Sequence, residues 1–172
     1  PYISDMFDLA RELPDFVVFY NGPKCGASAP DHMHFQAGNA DFLPLVSDYF
    51  NLKAKGKCTK QCTIDGADVY AIDNYLRVVY CIESADAEAL RQAFMKLYNS
   101  WVKEEEVEPM MNVVCLYRDG KWYLFVIPRG AFRPWQYTAE GDKQLLVSPA
   151  TVEVSGLFIT PVKEHFERIT KE

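Results

Sequence analysis

The sequence lacks an apolar run of the length that a bilayer-spanning helix needs, which is about 18 residues or more. It also lacks the start of a secretory signal, in which basic residues precede an apolar segment and a small-residue cleavage site. We therefore expect no membrane partner and a cytoplasmic location.

Basic residues are not in excess, since 18 Lys and Arg stand against 24 Asp and Glu, for a net charge of −6. Proteins that coat nucleic acid are normally basic because they neutralise backbone phosphates. We therefore expect no nucleic-acid partner. A nucleotide remains open as a ligand, because a few local cations suffice for one phosphate chain.

Cysteine is sparse and unpatterned. Five cysteines, an odd number at scattered spacings, do not form a disulfide framework and favour a reducing compartment. Cys58 and Cys62 could be half of a zinc site, but the usual companion ligands are not evident, and we predict no metal and no cofactor. We interpret Cys25 as a small loop residue and not as a nucleophile, because no third group is apparent that would orient a Cys–His pair.

Turn signals and hydrophobic periodicity predict the strands. Asp65-Gly66 and the run Arg118-Asp119-Gly120-Lys121 each predict a hairpin. The strands expected around these turns are 61–64 with 68–72, and 111–117 with 122–127. Further strands are expected at 16–20, 33–37 and 76–82, and residues 145–147 and 152–159 are β-prone.

Helices are predicted in three places. Residues 4–13 form one, capped by Ser4, and a second begins at Ser84 and carries an apolar stripe from Leu90 to Trp101. A last helix opens at Thr160-Pro161, with Val162, Phe166 and Ile169 on one face. Antiparallel hairpins with a few segregated helices indicate an α+β domain.

Histidine is scarce too, and two of the three residues lie two positions apart, as His32 and His34. A strand in this segment places His32, His34 and Gln36 on one surface. Met33 and Phe35 then point the other way, into a core. An imidazole nitrogen can attack phosphorus and form a covalent nucleotidyl-histidine. The alternative is an ordinary surface pair of histidines.

The residues before this pair suit anions. The small-residue run Gly26-Ala27-Ser28 offers backbone N–H groups and a hydroxyl to phosphate oxygens. Lys24 lies inside the same loop as a cation. Arg129, which follows the second hairpin, is a further candidate for a polyphosphate because guanidinium pairs well with phosphate. Its alternative is a solvated loop charge.

Seven residues of this region occur in the order of a known signature. The chain resembles the histidine-triad (HIT) superfamily, in the branch with Gln in place of the third His. That branch holds galactose-1-phosphate uridylyltransferase, diadenosine tetraphosphate phosphorylase and GDP-L-galactose phosphorylase. Asp31, between Pro30 and His32, is one residue more than the usual spacing of this signature contains. The matching residues are Asn21, Gly26, Ser28, Pro30, His32, His34 and Gln36.

Two later stretches are similar to the same branch and occur in family order. Met110–Val114 through Trp122–Arg129 resembles a phosphorylase hairpin that ends in Val-Pro-Arg, and Ser148–Gly156 resembles a segment near the end of GDP-L-galactose phosphorylases. The shared order of three stretches is a stronger indication than any one of them.

The resemblance implies an enzyme, a HIT-like nucleotidyltransferase of the phosphorylase type, and a HIT-like antiparallel sheet with flanking helices. It makes His34 the nucleophile, with His32 orienting the phosphate or the loop. Gln36 supports the α-phosphate and Ser28 donates to a phosphate oxygen. Asn21 fixes the loop, or binds a phosphate or ribose. Lys24, Gly26, Ala27 and Arg129 complete the expected phosphate and nucleotide contacts.

The resemblance also implies the partners. The substrate is a nucleotide sugar or a dinucleoside polyphosphate, the acceptor is phosphate or a sugar phosphate, and a homodimer is expected. Residues 1–172 read as a single HIT-like domain. Because family members carry a longer first half before the motif, we expect the chain to be the C-terminal part of a longer protein.

Two alternatives to an enzyme remain open. One is a nucleotide-binding or regulatory domain without turnover, because much of a first half is missing. The other is a metal-binding module that uses His32, His34 and cysteines.

Overall fold

The computed structural model describes residues 2–102 and 108–170, and in these ranges seven strands form one antiparallel sheet. The order across the sheet is β2-β1-β6-β7-β5-β4-β3, with every neighbouring pair antiparallel. This confirms the α+β class. The strands are β1 (Phe16–Asn21), β2 (Gln36–Asn39), β3 (Cys58–Ile64), β4 (Ala67–Ile72), β5 (Tyr80–Ser84), β6 (Met111–Arg118) and β7 (Lys121–Pro128).

Helices cover both faces of the sheet, and an apolar cluster fills each side. On one face α1 (Ile3–Glu12) and α3 (Ala87–Trp101) place Met6 and Leu90 in one apolar cluster with Val18 of β1. On the other face α2 (Pro44–Ala54) brings Tyr49 against Phe125 of β7. None of the described helices is long and apolar enough to cross a bilayer. The helices are α1 (Ile3–Glu12), α2 (Pro44–Ala54), α3 (Ala87–Trp101), α4 (Thr151–Val154) and α5 (Lys163–Arg168), with 3-10 turns at Trp135–Tyr137 and Gly141–Lys143.

Both predicted hairpins are confirmed, and their turns share one backbone geometry. Asp65 and Gly66 have φ of 49° and 93°, and Asp119 and Gly120 have φ of 52° and 75°. Positive φ at both central residues is the type I′ turn, whose twist matches that of paired strands. These turns join β3 to β4 and β6 to β7.

Helices α1 and α3 lie where the sequence predicts them, but neither uses the predicted cap. In α1, Ser4 lies inside the helix and no side chain caps its start. In α3 the cap is Asp86, whose carboxylate accepts from the backbone N–H groups of Glu88 and Ala89 at 2.8 and 3.0 Å. Ser84 ends β5 and accepts from the N–H of Asp86 at 3.0 Å.

Two predicted strands begin late. The strand expected at 33–37 starts only at Gln36, and the one expected at 76–82 starts at Tyr80. The chain turns at Asn74, where φ is 51°, and Leu76 is 92% exposed. The apolar residues at 76–79 predicted a strand, but in the structure they belong to the connection in which the chain turns from β4 to β5.

The β-prone assignment near the C-terminus was wrong. Residues 151–154 form α4, because Glu153 accepts from the backbone N–H of Ala150 at 2.8 Å and closes a helical turn. The predicted apolar face of the last helix was also wrong, since Phe166 is 64% exposed. The buried residue there is His165, whose Nδ1 accepts from the backbone N–H of Leu146 at 3.0 Å.

The cap of α3 gives a stability prediction. Asp86→Ala removes the acceptor for two backbone N–H groups, and we expect the free energy of unfolding to fall by about 1 kcal/mol. Urea denaturation measures the change. Glu12→Ala, at the exposed end of α1, is the control and should change stability by less than about 0.5 kcal/mol. Equal effects of the two changes would contradict the capping role.

Candidate active site

The two histidines lie side by side in the segment that leads into β2. The ring centroids of His32 and His34 are 5.1 Å apart, and the ring planes are inclined by 40°. Met33 and Phe35, the residues that alternate with them, line an apolar cavity instead. The chain bends at His32, however, and Met33 is 39% exposed and also lines a second cavity together with His32. The strict alternation of a strand predicted for this segment is therefore not formed before β2 begins, although the two imidazoles are adjacent.

The hydrogen bonds of the rings define which nitrogens carry protons. Nδ1 of His34 is 3.2 Å from the carbonyl oxygen of His32, and Nδ1 of His32 is 3.2 Å from Oδ1 of Asp31. Carbonyl and carboxylate oxygens only accept, so Nδ1 is the donor in each contact. In a neutral His34 ring the lone pair then resides on Nε2. The additional residue of the motif, Asp31, is the partner of His32.

Gln36 is the first residue of β2 and pairs with Phe19 of β1. Its side-chain oxygen accepts from Nδ2 of Asn21 at 2.9 Å. This contact orients the amide, so that its NH₂ group remains available to an acceptor such as a phosphate oxygen. The structure therefore brings together two residues that the sequence pattern places fifteen positions apart.

The loop between β1 and the histidines is held tightly at Gly26. This residue has φ of +90°, and a Cβ built on it would lie 2.5 Å from the Cβ of Ala150. Glycine is required there by both conformation and space. Within the described ranges, the backbone N–H groups of Gly26, Ala27 and Ser28 have no hydrogen-bond acceptor in the protein. Lys24 and Ser28 are exposed.

Asn112 is the centre of a buried hydrogen-bond network beneath this loop. Its Nδ2 lies within hydrogen-bond distance of Asn21 Oδ1 at 2.9 Å, Cys25 carbonyl oxygen at 2.9 Å and Thr151 Oγ1 at 3.1 Å. Its Oδ1 accepts from Arg129 at 2.7 Å. The side chain of Asn112 is fully buried. One amide thus connects β1, the loop, Arg129 after β7, and α4.

The same network continues through Thr151 at the start of α4. Its backbone N–H donates to Asn21 Oδ1 at 2.7 Å, and its hydroxyl lies 2.9 Å from the carbonyl oxygen of Tyr20. The C-terminal segment is therefore fastened to the end of β1, directly before the loop.

Arg129, which follows β7, makes four hydrogen bonds within the protein. Its Nη1 donates to Asn112 and to the carbonyl oxygen of Pro149 at 2.9 Å, and its Nη2 donates to the carbonyls of Ala131 and Phe132 at 3.3 Å. Both terminal nitrogens are occupied by the protein. Arg129 therefore supports the network within the protein, and the phosphate contact predicted for it stays a prediction.

The cysteines contribute no nucleophile and no metal cluster to the described site. Burial raises the pKa of the Cys25 thiol to about 11, against the opposing effect of the nearby Arg129. The thiol is therefore protonated at neutral pH. Cys58 is half-buried and Cys62 exposed, both on β3. Within residues 2–102 and 108–170, no three His, Cys, Asp or Glu side chains are grouped to hold a metal ion.

Two cavities border the histidine segment. One, of about 140 Å³, lies along the loop and is lined by Ala27, Asp31 and His32. The other, of about 150 Å³, is apolar and lies under α1 and α3. Tyr20 and Met33 line both, so the cavities meet at these two side chains.

Several residues of the site were missed from the sequence. Asn112 left a signal, because it is a single amide inside the apolar run of β6. Thr151 left none, since its role depends on the fold of α4 against β1. Glu108, which lines the apolar cavity, has no motif around it.

Substitution of Asn112 tests the network. Asn112→Ala removes one acceptor of Arg129 and the contacts to Asn21, Cys25 and Thr151, so we expect a loss of about 3 kcal/mol or more in unfolding free energy. Chemical denaturation measures it. Asn51→Ala, on the exposed side of α2, should change stability by less than about 0.5 kcal/mol. A loss below about 1 kcal/mol for Asn112→Ala would contradict the central position of this amide.

Substitution of Gly26 tests the packing of the loop. Gly26→Ala forces the loop away from Ala150, so we expect a lower melting temperature. The matched control is Gly130→Ala, because nothing lies within 4 Å of a Cβ there. Calorimetry of the two variants provides the comparison. If Gly26→Ala behaves like Gly130→Ala, the close contact with Ala150 is not what holds the loop.

One family model and one solved structure are similar to parts of this chain. A family described as "Domain of unknown function (DUF4922)" matches residues 1–39, the stretch that holds α1, β1, the loop and both histidines. No curated protein matches the chain. The chain is similar to the crystal structure of a DUF4931 family protein from Bacillus cereus ATCC 10987, with a TM-score of 0.48 and 16% identity, over 89% of this chain and 72% of that one.

Proposed function

We propose that this chain transfers a nucleotidyl group through a covalent intermediate on Nε2 of His34. The observation that carries the proposal is the His32–His34 pair, with ring centroids 5.1 Å apart at the end of a loop whose backbone N–H groups have no protein acceptor within the described ranges. A nucleophile and a set of donors for oxyanions are thereby adjacent, as group transfer to phosphorus needs.

The hydrogen bond of His34 prepares its ring for attack. Because Nδ1 donates to the carbonyl oxygen of His32, the lone pair lies on Nε2 and the ring is held in one orientation. His32 is oriented in the same way by Asp31. Its own Nε2 is then placed to contact the phosphate or the departing group.

The proposed reaction consists of two successive displacements at the same phosphorus. In the first, Nε2 of His34 attacks the α-phosphorus, a nitrogen–phosphorus bond forms, and the oxygen–phosphorus bond to the leaving group breaks with the electron pair on oxygen. In the second, an oxygen of inorganic phosphate or a sugar phosphate attacks the same phosphorus. The nitrogen–phosphorus bond then breaks and His34 is restored.

The loop supplies hydrogen-bond donors that stabilise the negative charge on the phosphate oxygens. The N–H groups of Gly26, Ala27 and Ser28, the hydroxyl of Ser28 and the amide NH₂ of Gln36 are donors suited to phosphate oxygens. Lys24 is the cation of this loop and is exposed, so it can approach a polyphosphate. Because Gln36 is held by Asn21, its donor group needs little reorganisation on binding.

The substrate class follows from the order of the motif. We propose a nucleotide sugar or a dinucleoside polyphosphate as donor, on the support of the Asn, Gly-x-Ser, Pro and His-x-His-x-Gln residues that resemble the HIT superfamily branch with Gln. The buried Asn112 and Thr151 give support from outside the motif. They fasten the two later stretches that resemble the branch to the loop.

The test is trapping of the intermediate. The wild-type protein is mixed with nucleotides labelled at the α-phosphate, quenched without acid, and examined by intact mass spectrometry. We expect a nucleotidyl adduct that is stable in base and lost in acid, as a nitrogen–phosphorus bond is. His34→Asn should abolish the adduct.

The matched control is His32→Asn, which keeps the nucleophile and removes the neighbouring ring. We expect its adduct to form more slowly but to remain at His34. An adduct of unchanged yield in His34→Asn would disprove the proposal. Tight nucleotide binding with no adduct in the wild type would favour a binding domain without turnover.

A further inference from the structure

Arg133 lies in the long connection after β7, and its guanidinium is held between two aromatic rings. The central carbon of the guanidinium, Cζ, lies 4.3 Å from the ring centroid of Phe132 and 4.1 Å from that of Tyr137. Its Nε donates to Oγ of Ser148 at 3.0 Å. Two stacking contacts and one hydrogen bond therefore fix the orientation of a side chain that is exposed to solvent.

The two terminal nitrogens of Arg133 have no acceptor within the part of the chain that the structure describes. Most of the other arginines are engaged by the protein. Four of them form ion pairs with carboxylates, namely Arg11, Arg91, Arg118 and Arg168. Both terminal nitrogens of Arg129 are also occupied. Arg133 thus keeps a planar pair of donors, Nη1 and Nη2, in the arrangement that matches two oxygens of one anion.

The fixed orientation lowers the cost of binding an anion. An arginine that moves freely in solvent loses rotamer freedom when it contacts a ligand, and this loss opposes binding. The rings of Phe132 and Tyr137, together with Ser148, have already restricted the side chain of Arg133. The guanidinium is therefore preorganised for a ligand that the described protein itself does not supply.

The segment that holds Arg133 adjoins the glycine loop. Ser148 is followed by Pro149 and Ala150, and both of these residues pack against Gly26. A Cβ built on Gly26 would lie 2.9 Å from the carbonyl oxygen of Pro149 and 2.5 Å from the Cβ of Ala150. The donors of the loop and the guanidinium of Arg133 are therefore attached to the same short stretch, residues 148–150.

Phosphate is the anion that the neighbouring loop favours. In the proposed transfer, the phosphate that is attacked belongs with His34 and the N–H groups of the loop. The acceptor brings a second phosphate group, which carries about two negative charges near neutral pH. A bidentate guanidinium beside the loop is suited to this second group, because arginine pairs with phosphate through two parallel hydrogen bonds.

We propose that Arg133 binds the phosphate group of the acceptor, with Nη1 and Nη2 donating to two of its oxygens. The inference rests on the proposed function, because it names the site of the second substrate. Phe132, Tyr137 and Ser148 are positioning residues, which orient the guanidinium and do not touch the ligand. Arg133 forms no bond to the phosphorus that is transferred.

The first test measures the binding of inorganic phosphate and of glucose 1-phosphate by titration, followed by phosphorus-31 nuclear magnetic resonance. Arg133→Gln removes both the charge and the paired donors, so we expect the dissociation constant to rise about tenfold or more. A rise for one compound only supports the inference and identifies that compound as the acceptor class. No rise for either compound would overturn it.

The matched control for this test is Arg91→Gln on α3. The guanidinium of Arg91 already donates to both carboxylate oxygens of Glu88, so it has no comparable free pair of donors. We expect its dissociation constants to equal those of the wild type. An equal loss of affinity in Arg91→Gln and Arg133→Gln would show an effect of net charge alone and would overturn the assignment to Arg133.

The second test concerns the stacking of the guanidinium on Tyr137. Tyr137→Leu keeps Arg133 but removes one of the two rings, and we expect acceptor binding to weaken about threefold. Tyr137→Phe restores a ring without the hydroxyl and should restore the wild-type affinity. Circular dichroism checks that both variants are folded. Wild-type affinity in Tyr137→Leu, or no rescue by Tyr137→Phe, would overturn the positioning role of this ring.

The outcome for Arg133 is separable from the outcome for the reaction. Phosphate binding that depends on Arg133, without any adduct on His34, supports the anion site and contradicts nucleotidyl transfer. If the adduct forms, Arg133→Gln should raise the acceptor concentration that gives half-maximal discharge of the adduct by about tenfold. Discharge at the same acceptor concentrations in Arg133→Gln and the wild type would support transfer and overturn the role of Arg133.

Discussion

The buried amide of Asn112 is the interaction on which the candidate site depends. It joins the end of β1, the glycine loop, Arg129 after β7 and Thr151 at the start of α4. A buried amide without partners would cost about 1–3 kcal/mol, and here every neighbour supplies one. Four segments distant in the chain are thereby held in one arrangement. The loop that precedes the histidines is positioned from beneath.

This arrangement separates rigid support from exposed chemistry. Asn112 and Thr151 are buried, whereas His32, Ser28 and Lys24 face solvent. A group-transfer site needs donors that are fixed in advance, because reorganisation during the reaction raises the barrier. Residues that never touch a ligand can therefore determine how well the loop binds one. Arg129 belongs to this support, despite being the type of residue that often contacts phosphate.

Local signals predicted the elements that local forces determine. The turns at Asp65-Gly66 and Asp119-Gly120 were predictable because positive φ at two positions selects such residues. Residues 151–154 were predicted wrongly from their β propensity, because a local signal was overlooked: Glu153 accepts from the backbone N–H of Ala150 three residues earlier. The proximity of His32 and His34 was predictable from their spacing. The partners of Asn112 were not, since they depend on contacts between residues up to 91 positions apart.

The most direct test of the account is the identity of the atom that bonds to phosphorus. Protein labelled with nitrogen-15 in its histidines is allowed to form the adduct, and nitrogen–phosphorus coupling is measured by nuclear magnetic resonance. The hydrogen bond from Nδ1 of His34 to the carbonyl of His32 predicts coupling to Nε2 of His34. Coupling to Nδ1, to a different histidine, or to no histidine at all would contradict the account.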